Sequence, residues 1–150
     1  MINNSKDRIM KEISRIDDLI NVAKPFLHSC QFRKIDFEVI STAAMTMHSF
    51  YNGIDSIGVL ILKIFGDNTD KDKKWHKYMV EALFGANSLN RNILRKELFI
   101  QVVTFMSFRH VARNTYATEL KWEKMKILVY NLEETWTMIK SDFEKIIEEN

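Results

Sequence analysis

The stretch ISTAAMTMHSFYNGIDSIGVLILKI, residues 40–64, sets Ile40, Ala43, Met47, Phe50, Ile54, Ile57, Ile61 and Ile64 at alternating steps of 3 and 4. A helix keeps such positions on one face, because its turn of about 3.6 residues returns every third or fourth side chain to the same side. Proline is absent from the run, and Gly66-Asp67-Asn68 closes it. Gly53 and Gly58 lie inside it. Each costs about 1 kcal/mol relative to alanine, a cost that predicts close contact with a neighbouring helix. A long helix of this kind points to a fold built by packing helix on helix.

The flanking sequence repeats the pattern. Ile9, Ile13, Ile16, Ile20 and Ala23 mark a preceding amphipathic helix. Pro25 lacks an amide proton and predicts an end or kink near Lys24, with a polar joint at residues 29–33. A shorter helix is expected around residues 73–84, with Trp75, Met79 and Leu83 on one side. Residues 85–88 read as a loop, and Asn90 as the N-cap of a fourth helix. That helix carries Leu94, Leu98, Val102 and Phe105, and its stripe continues through Arg109, Ala112 and Tyr116. A last helix runs through Trp122, Met125, Val129, Leu132, Trp136, Ile139, Phe143 and Ile146. The expected fold is all-α, an antiparallel bundle of four long helices plus one shorter helix in a single domain over residues 1–150.

Composition agrees with that reading and narrows the function classes. Glycine (4) and proline (1) are too scarce for a chain of many short strands, and 46% hydrophobic with 28% charged residues is a globular balance. The lone Cys30 forms no intrachain disulfide and suits a reducing compartment. Cys and His do not recur at zinc-ligand spacing, so neither a metal nor another cofactor is expected. The most apolar run, residues 57–65, falls far short of the roughly 20 residues that cross a bilayer. The first residues lack the apolar core of a signal peptide. A cytoplasmic protein without a membrane partner is the expectation.

Chemistry concentrates in FRHVARNTY, residues 108–116. Two turns of an otherwise apolar helical pattern hold two guanidiniums, an imidazole, an amide and a phenol. Burying Arg109 unpaired would be costly, so either an acid such as Glu119 or Asp55 satisfies it, or it lines a polar groove. Arg91 and Arg109 are 18 residues apart, five helical turns, as are Arg95 and Arg113. On one helix the members of each pair would be about 27 Å apart, which makes Arg91, Arg95 and Arg113 candidates for binding phosphates. Lys71, Lys73, Lys74 and Lys77 form a second basic cluster, against a net charge of only +2. Tyr51, Trp75, Trp122 and Trp136 read as packing residues, and His28, His48 and His76 as structural.

Arg109, His110, Asn114 and Tyr116 together resemble the active-site segment of the HEPN superfamily, in particular the HepT-like ribonuclease toxins. That pattern is Arg, a polar residue, three variable residues, His, one variable residue and Tyr. His48-Ser49-Phe50-Tyr51-Asn52-Gly53-Ile54-Asp55 is similar to the family's second-helix segment, and Trp75-His76 recurs in the same order. The resemblance spans roughly residues 40–145. It implies a homodimer whose facing motifs cleave RNA without a metal, with Arg109 on the phosphate and His110 and Asn114 at the catalytic positions. Asn114 fills the place of the motif His, and a carboxamide does not titrate near neutral pH. Loss of a general acid–base costs about 10²–10⁴-fold in rate. Two functions therefore stay open: a HepT-like ribonuclease of reduced activity, or a non-catalytic module holding RNA, nucleotide or a nucleotidyltransferase. The resemblance also makes Tyr116 a candidate acceptor of AMP from an MNT-type nucleotidyltransferase antitoxin.

Overall fold

The computed structural model describes residues 2–69 and 75–150, and the lysines at 71, 73 and 74 lie outside them. Five α-helices follow in order: α1 Ile2–Ser29, α2 Phe37–Phe65, α3 Trp75–Leu83, α4 Phe99–Asn114 and α5 Trp122–Glu149. Short 3-10 turns at Lys96–Leu98 and Ala117–Glu119 precede α4 and α5. Among the described residues there is no strand. The all-α bundle expected from the periodicity is what forms.

Helix α2 is the central element, packing against α1, α3, α4 and α5. Asp36 caps its start by accepting the Val39 amide at 3.0 Å, and Gly66 ends it in the left-handed region at φ 84°. All eight positions of its 3-and-4 stripe except Ile40 and Ile64 are buried. Phe50 sits between the rings of Phe105 on α4 and Trp136 on α5, at 5.2 and 6.0 Å. Both internal glycines are close approaches, as their cost predicted. A Cβ at Gly53 would lie 2.7 Å from Ile16 of α1, and one at Gly58 2.5 Å from Met79 Sδ of α3. Helices α1 and α2 run antiparallel, since Arg8 and Lys63 share one end of their groove while Leu19 and Ser49 share the other. Asp17 ties α1 to α5 by accepting Trp136 Nε1 and Lys140 Nζ, each at 2.8 Å.

Three local expectations are corrected. Of the end or kink expected at Pro25, the end does not occur: α1 continues to Ser29, with Leu27 and Cys30 buried beyond the proline. Asn90 is not an N-cap but adopts a positive φ of 48°. Helix α4 begins at Phe99 rather than near 90, because residues 87–95 are held by bonds from outside the helix. The Asn87 amide donates to Ala82 O and Arg91 O, at 2.8 and 2.7 Å. Ile93 and Leu94 donate to Leu83 O, at 3.0 and 2.9 Å, and the Arg95 amide goes to Asp142 at 2.8 Å. Backbone groups engaged elsewhere cannot close helical rings.

Candidate functional site

Tyr51 and Asp55, four residues apart, occupy the same side of α2. Met79 fits against Gly58, which draws α3 onto α2 and brings His76, at the first turn of α3, beside both. Helix α4 packs on α2 and α3 and contributes Arg109. The Tyr51 and His76 rings lie 6.2 Å apart, and His76 Nδ1 is 3.8 Å from Asp55 Oδ1, with the two side chains 31% and 12% exposed. Burial pushes the Tyr51 phenol well above its ordinary pKa; the Asp55 charge adds to this and the Arg109 charge opposes it. Both charges therefore border the hydroxyl, which stays a neutral donor at physiological pH.

Arg109 is only partly buried, and it forms no ion pair among the described residues. Its Nε and the Asp55 Oδ1 are buried without a hydrogen-bond partner among those residues. Leaving such a polar atom unsatisfied costs about 1–3 kcal/mol, and more for a charged group. Two such atoms lie near Tyr51, where water or a bound group can complete them. The cluster is neither a sealed ion pair nor a purely apolar packing contact.

Asp55 also lines a cleft of about 360 Å³ between α1 and α2. Arg8, Lys11, Arg15 and Lys63 surround it, with Glu12 as the other acid. Arg15 is engaged with Glu12 at 3.0 Å. Four cations against two carboxylates make the cleft positive, and its walls focus that field on entering anions.

The sequence motif divides on folding. Adjacent residues point about 100° apart on a helix, so Arg109 turns towards α2 while His110 and Asn114 are exposed on the outward side. Asn114 Nδ2 donates to the carbonyl of His110 at 2.7 Å, and Arg113 is exposed. The helix ends at Asn114, so Tyr116 is not on the α4 stripe; it stands beyond the helix and is 81% exposed. Glu119 does not reach Arg109, because it accepts the Tyr116 amide at 3.0 Å and caps the next turn. Arg91 and Arg95 do not share a helix with Arg109 and Arg113. They precede α4 and pair with Glu149 and Asp142 of α5. Tyr51 and His76, read from sequence as packing and structural residues, are members of the cluster. Their place in the two segments resembling the family was the signal for them.

Residues 42–150 match a family described as HepT-like protein. Comparison with curated proteins and with solved structures gave no match. The matched span holds Tyr51, Asp55, His76 and Arg109, and the whole motif from Arg109 to Tyr116. On that match the chain belongs to the HepT-like family.

Proposed function

We propose that this HepT-like chain is the toxin component of a toxin–antitoxin pair and acts, as a homodimer, as a metal-independent endoribonuclease. One observation carries the reading: Arg109 is partly buried on an apolar helix, yet no carboxylate among the described residues pairs with it. A guanidinium in that condition is available to a phosphate, which it matches with two parallel hydrogen bonds. In cleavage it would stabilise the charge building on the phosphoryl oxygens.

Pairing of two copies is supported by the outward face of α4. Ile100, Thr104, Ser107 and Val111 step by 4, 3 and 4 along it, uncharged, with Ile100 76% and Val111 48% exposed. A two-fold axis there would set this seam against itself and bring the exposed Asn114 of both chains towards each other, with His110 at its edge. Tyr116, exposed past the end of α4, suits modification by an MNT-type nucleotidyltransferase, because AMP added there would bring bulk and negative charge beside the arginines.

A second reading rests on Asn114. Its amide is tied to a backbone carbonyl and supplies no titratable group, which favours a module that binds RNA, nucleotide or a nucleotidyltransferase without cleaving. Incubation of the purified protein with single-stranded RNA in EDTA separates the two. The nuclease reading expects cleavage that Arg109→Ala abolishes; RNA bound but left intact overturns it in favour of the binding module. Mass spectrometry after co-expression with an MNT-type nucleotidyltransferase tests Tyr116, and an unmodified tyrosine removes that role.

A further inference from the structure

We propose that the groove between α1 and α2 binds the phosphate backbone of single-stranded RNA, at a site separate from the motif on α4. The inference rests on RNA being the ligand in the function proposed above, and not on cleavage. Helix α1 precedes the matched residues 42–150, so family membership assigns nothing to this face. Arg8, Lys11 and Arg15 step by 3 and 4 along α1 and share one side of it, which lines the cleft together with Lys63 of α2. Arg15 is engaged with Glu12. Arg8, Lys11 and Lys63 are exposed and in no ion pair among the described residues. The other acid, Asp55, is withdrawn, its side chain 12% exposed. The mouth of the cleft therefore presents cations to solvent with no carboxylate of the chain paired to them, and its potential favours an entering polyanion.

The groove continues past this mouth. Glu12, Arg15 and Ser56 line both the cleft and the stretch beyond it, which runs on to Leu19 and Ser49. There α2 presents Ser49, Asn52 and Ser56, again at steps of 3 and 4. A nucleic-acid strand fits this order of groups. From Arg8 to Arg15 the helix rises about 10 Å, a length that consecutive phosphates of one strand cover. The hydroxyls and amide of α2 supply partners for ribose hydroxyls, the groups by which RNA is told from DNA. Among the described residues lining the groove there is no aromatic ring, so bases find no platform to stack on. Binding through charge and sugar is tolerant of sequence and falls steeply with salt.

The test is fluorescence anisotropy of a labelled single-stranded RNA with the otherwise unaltered chain, Arg8→Glu and Lys34→Glu. All three also carry Arg109→Ala, so that cleavage does not enter the readout, and thermal melting checks that each is folded. Lys34 is exposed in the joint between α1 and α2, at the far end of α1 from Arg8, so its reversal changes net charge equally but outside the groove. Arg8→Glu should lower affinity and flatten the salt slope by about one unit, while Lys34→Glu leaves the slope unchanged. Lysine acetylation read by mass spectrometry should show RNA shielding Lys11 and Lys63 and leaving Lys34 reactive. Equal effects of the two reversals would reveal attraction by net charge alone and overturn the inference, as would Lys11 and Lys63 reacting as fast with RNA as without it. Polyglutamate that displaces the RNA at equal charge would mark a site for an acidic protein and overturn it too. The nuclease reading is judged separately, by cleavage with the wild type. RNA shielding the groove yet left intact there supports this inference and overturns that reading alone.

Discussion

Asp142 on α5 accepts both the backbone amide of Arg95, at 2.8 Å, and its guanidinium Nη2, at 2.8 Å, across 47 residues of chain. This clamp fixes the irregular segment ahead of α4 and withdraws Arg95 from the helix face on which periodicity had set it. Asp142→Ala strips the partner from both donors, whereas Arg95→Ala leaves the amide bond in place. Charged hydrogen bonds of this kind contribute about 1.5–3 kcal/mol, with the lower end expected because the Arg95 side chain is 38% exposed. Denaturant unfolding should show Asp142→Ala to be the more destabilised variant. Equal stability of the two would show that the backbone bond contributes nothing.

The two glycines of α2 should answer differently to alanine. Alanine gains about 1 kcal/mol in helix propensity at either place. At Gly58 the new methyl meets Met79 Sδ, part of an unbranched side chain that can move aside. At Gly53 it meets both Cγ1 and Cδ1 of Ile16, a stiff β-branched residue. Gly58→Ala should therefore be near neutral in thermal melts, and Gly53→Ala should lose about 1–3 kcal/mol by overpacking. A reversed order would contradict the packing of α1 and α3 on α2.

Tyr51 couples stability to alkaline pH. Its folded pKa is raised, by burial first and by Asp55 second, above the unfolded value of about 10. The folded chain keeps a proton that the unfolded chain releases, so this contribution is whole below pH of about 10 and declines as pH rises beyond it. Tyr51→Phe should flatten that decline. Subtracting its tyrosinate absorbance titration from that of the wild type should isolate a phenol that ionises only as the protein unfolds. A difference curve centred near the ordinary tyrosine value would disprove the burial argument.

Charge reversal tests whether the positive cleft between α1 and α2 holds RNA. Lys11→Glu with Lys63→Glu should weaken RNA binding at low salt and reduce the salt dependence of affinity, since each lost phosphate contact removes about one unit from the slope. The fold should be indifferent, as Lys63 is exposed and neither lysine is in an ion pair among the described residues. Undiminished affinity with an unchanged slope would place the RNA elsewhere.

The stripes of α1, α2 and α5 were legible because each is a long apolar face, and burying such faces is the main favourable term in folding. Leu94 and Leu98 continued the α4 stripe just as well and are buried as expected. The backbone around Leu94 is nevertheless not helical. Its amides bond to Leu83 and Asp142, partners that periodicity cannot reveal because they lie on other elements. Residues 108–116 were singled out for their chemistry, yet the phenol whose ionisation Arg109 affects, Tyr51, comes from an earlier segment. Tyr51 and His76 each look like ordinary packing residues until α3 is laid on α2.

Sequence by itself determined that this chain is a helical bundle centred on residues 40–64, and that Arg109 is its least ordinary side chain. Both follow from local rules, the helical repeat and the cost of burying a charge. Tertiary structure alone decided that Arg109 turns towards Tyr51 while His110 and Asn114 are exposed, and that Arg91 and Arg95 are held by α5. Those outcomes depend on the rotation of each helix about its axis. That rotation is set by how all the apolar faces pack at once, with Gly53 and Gly58 fixing how closely α1 and α3 can come.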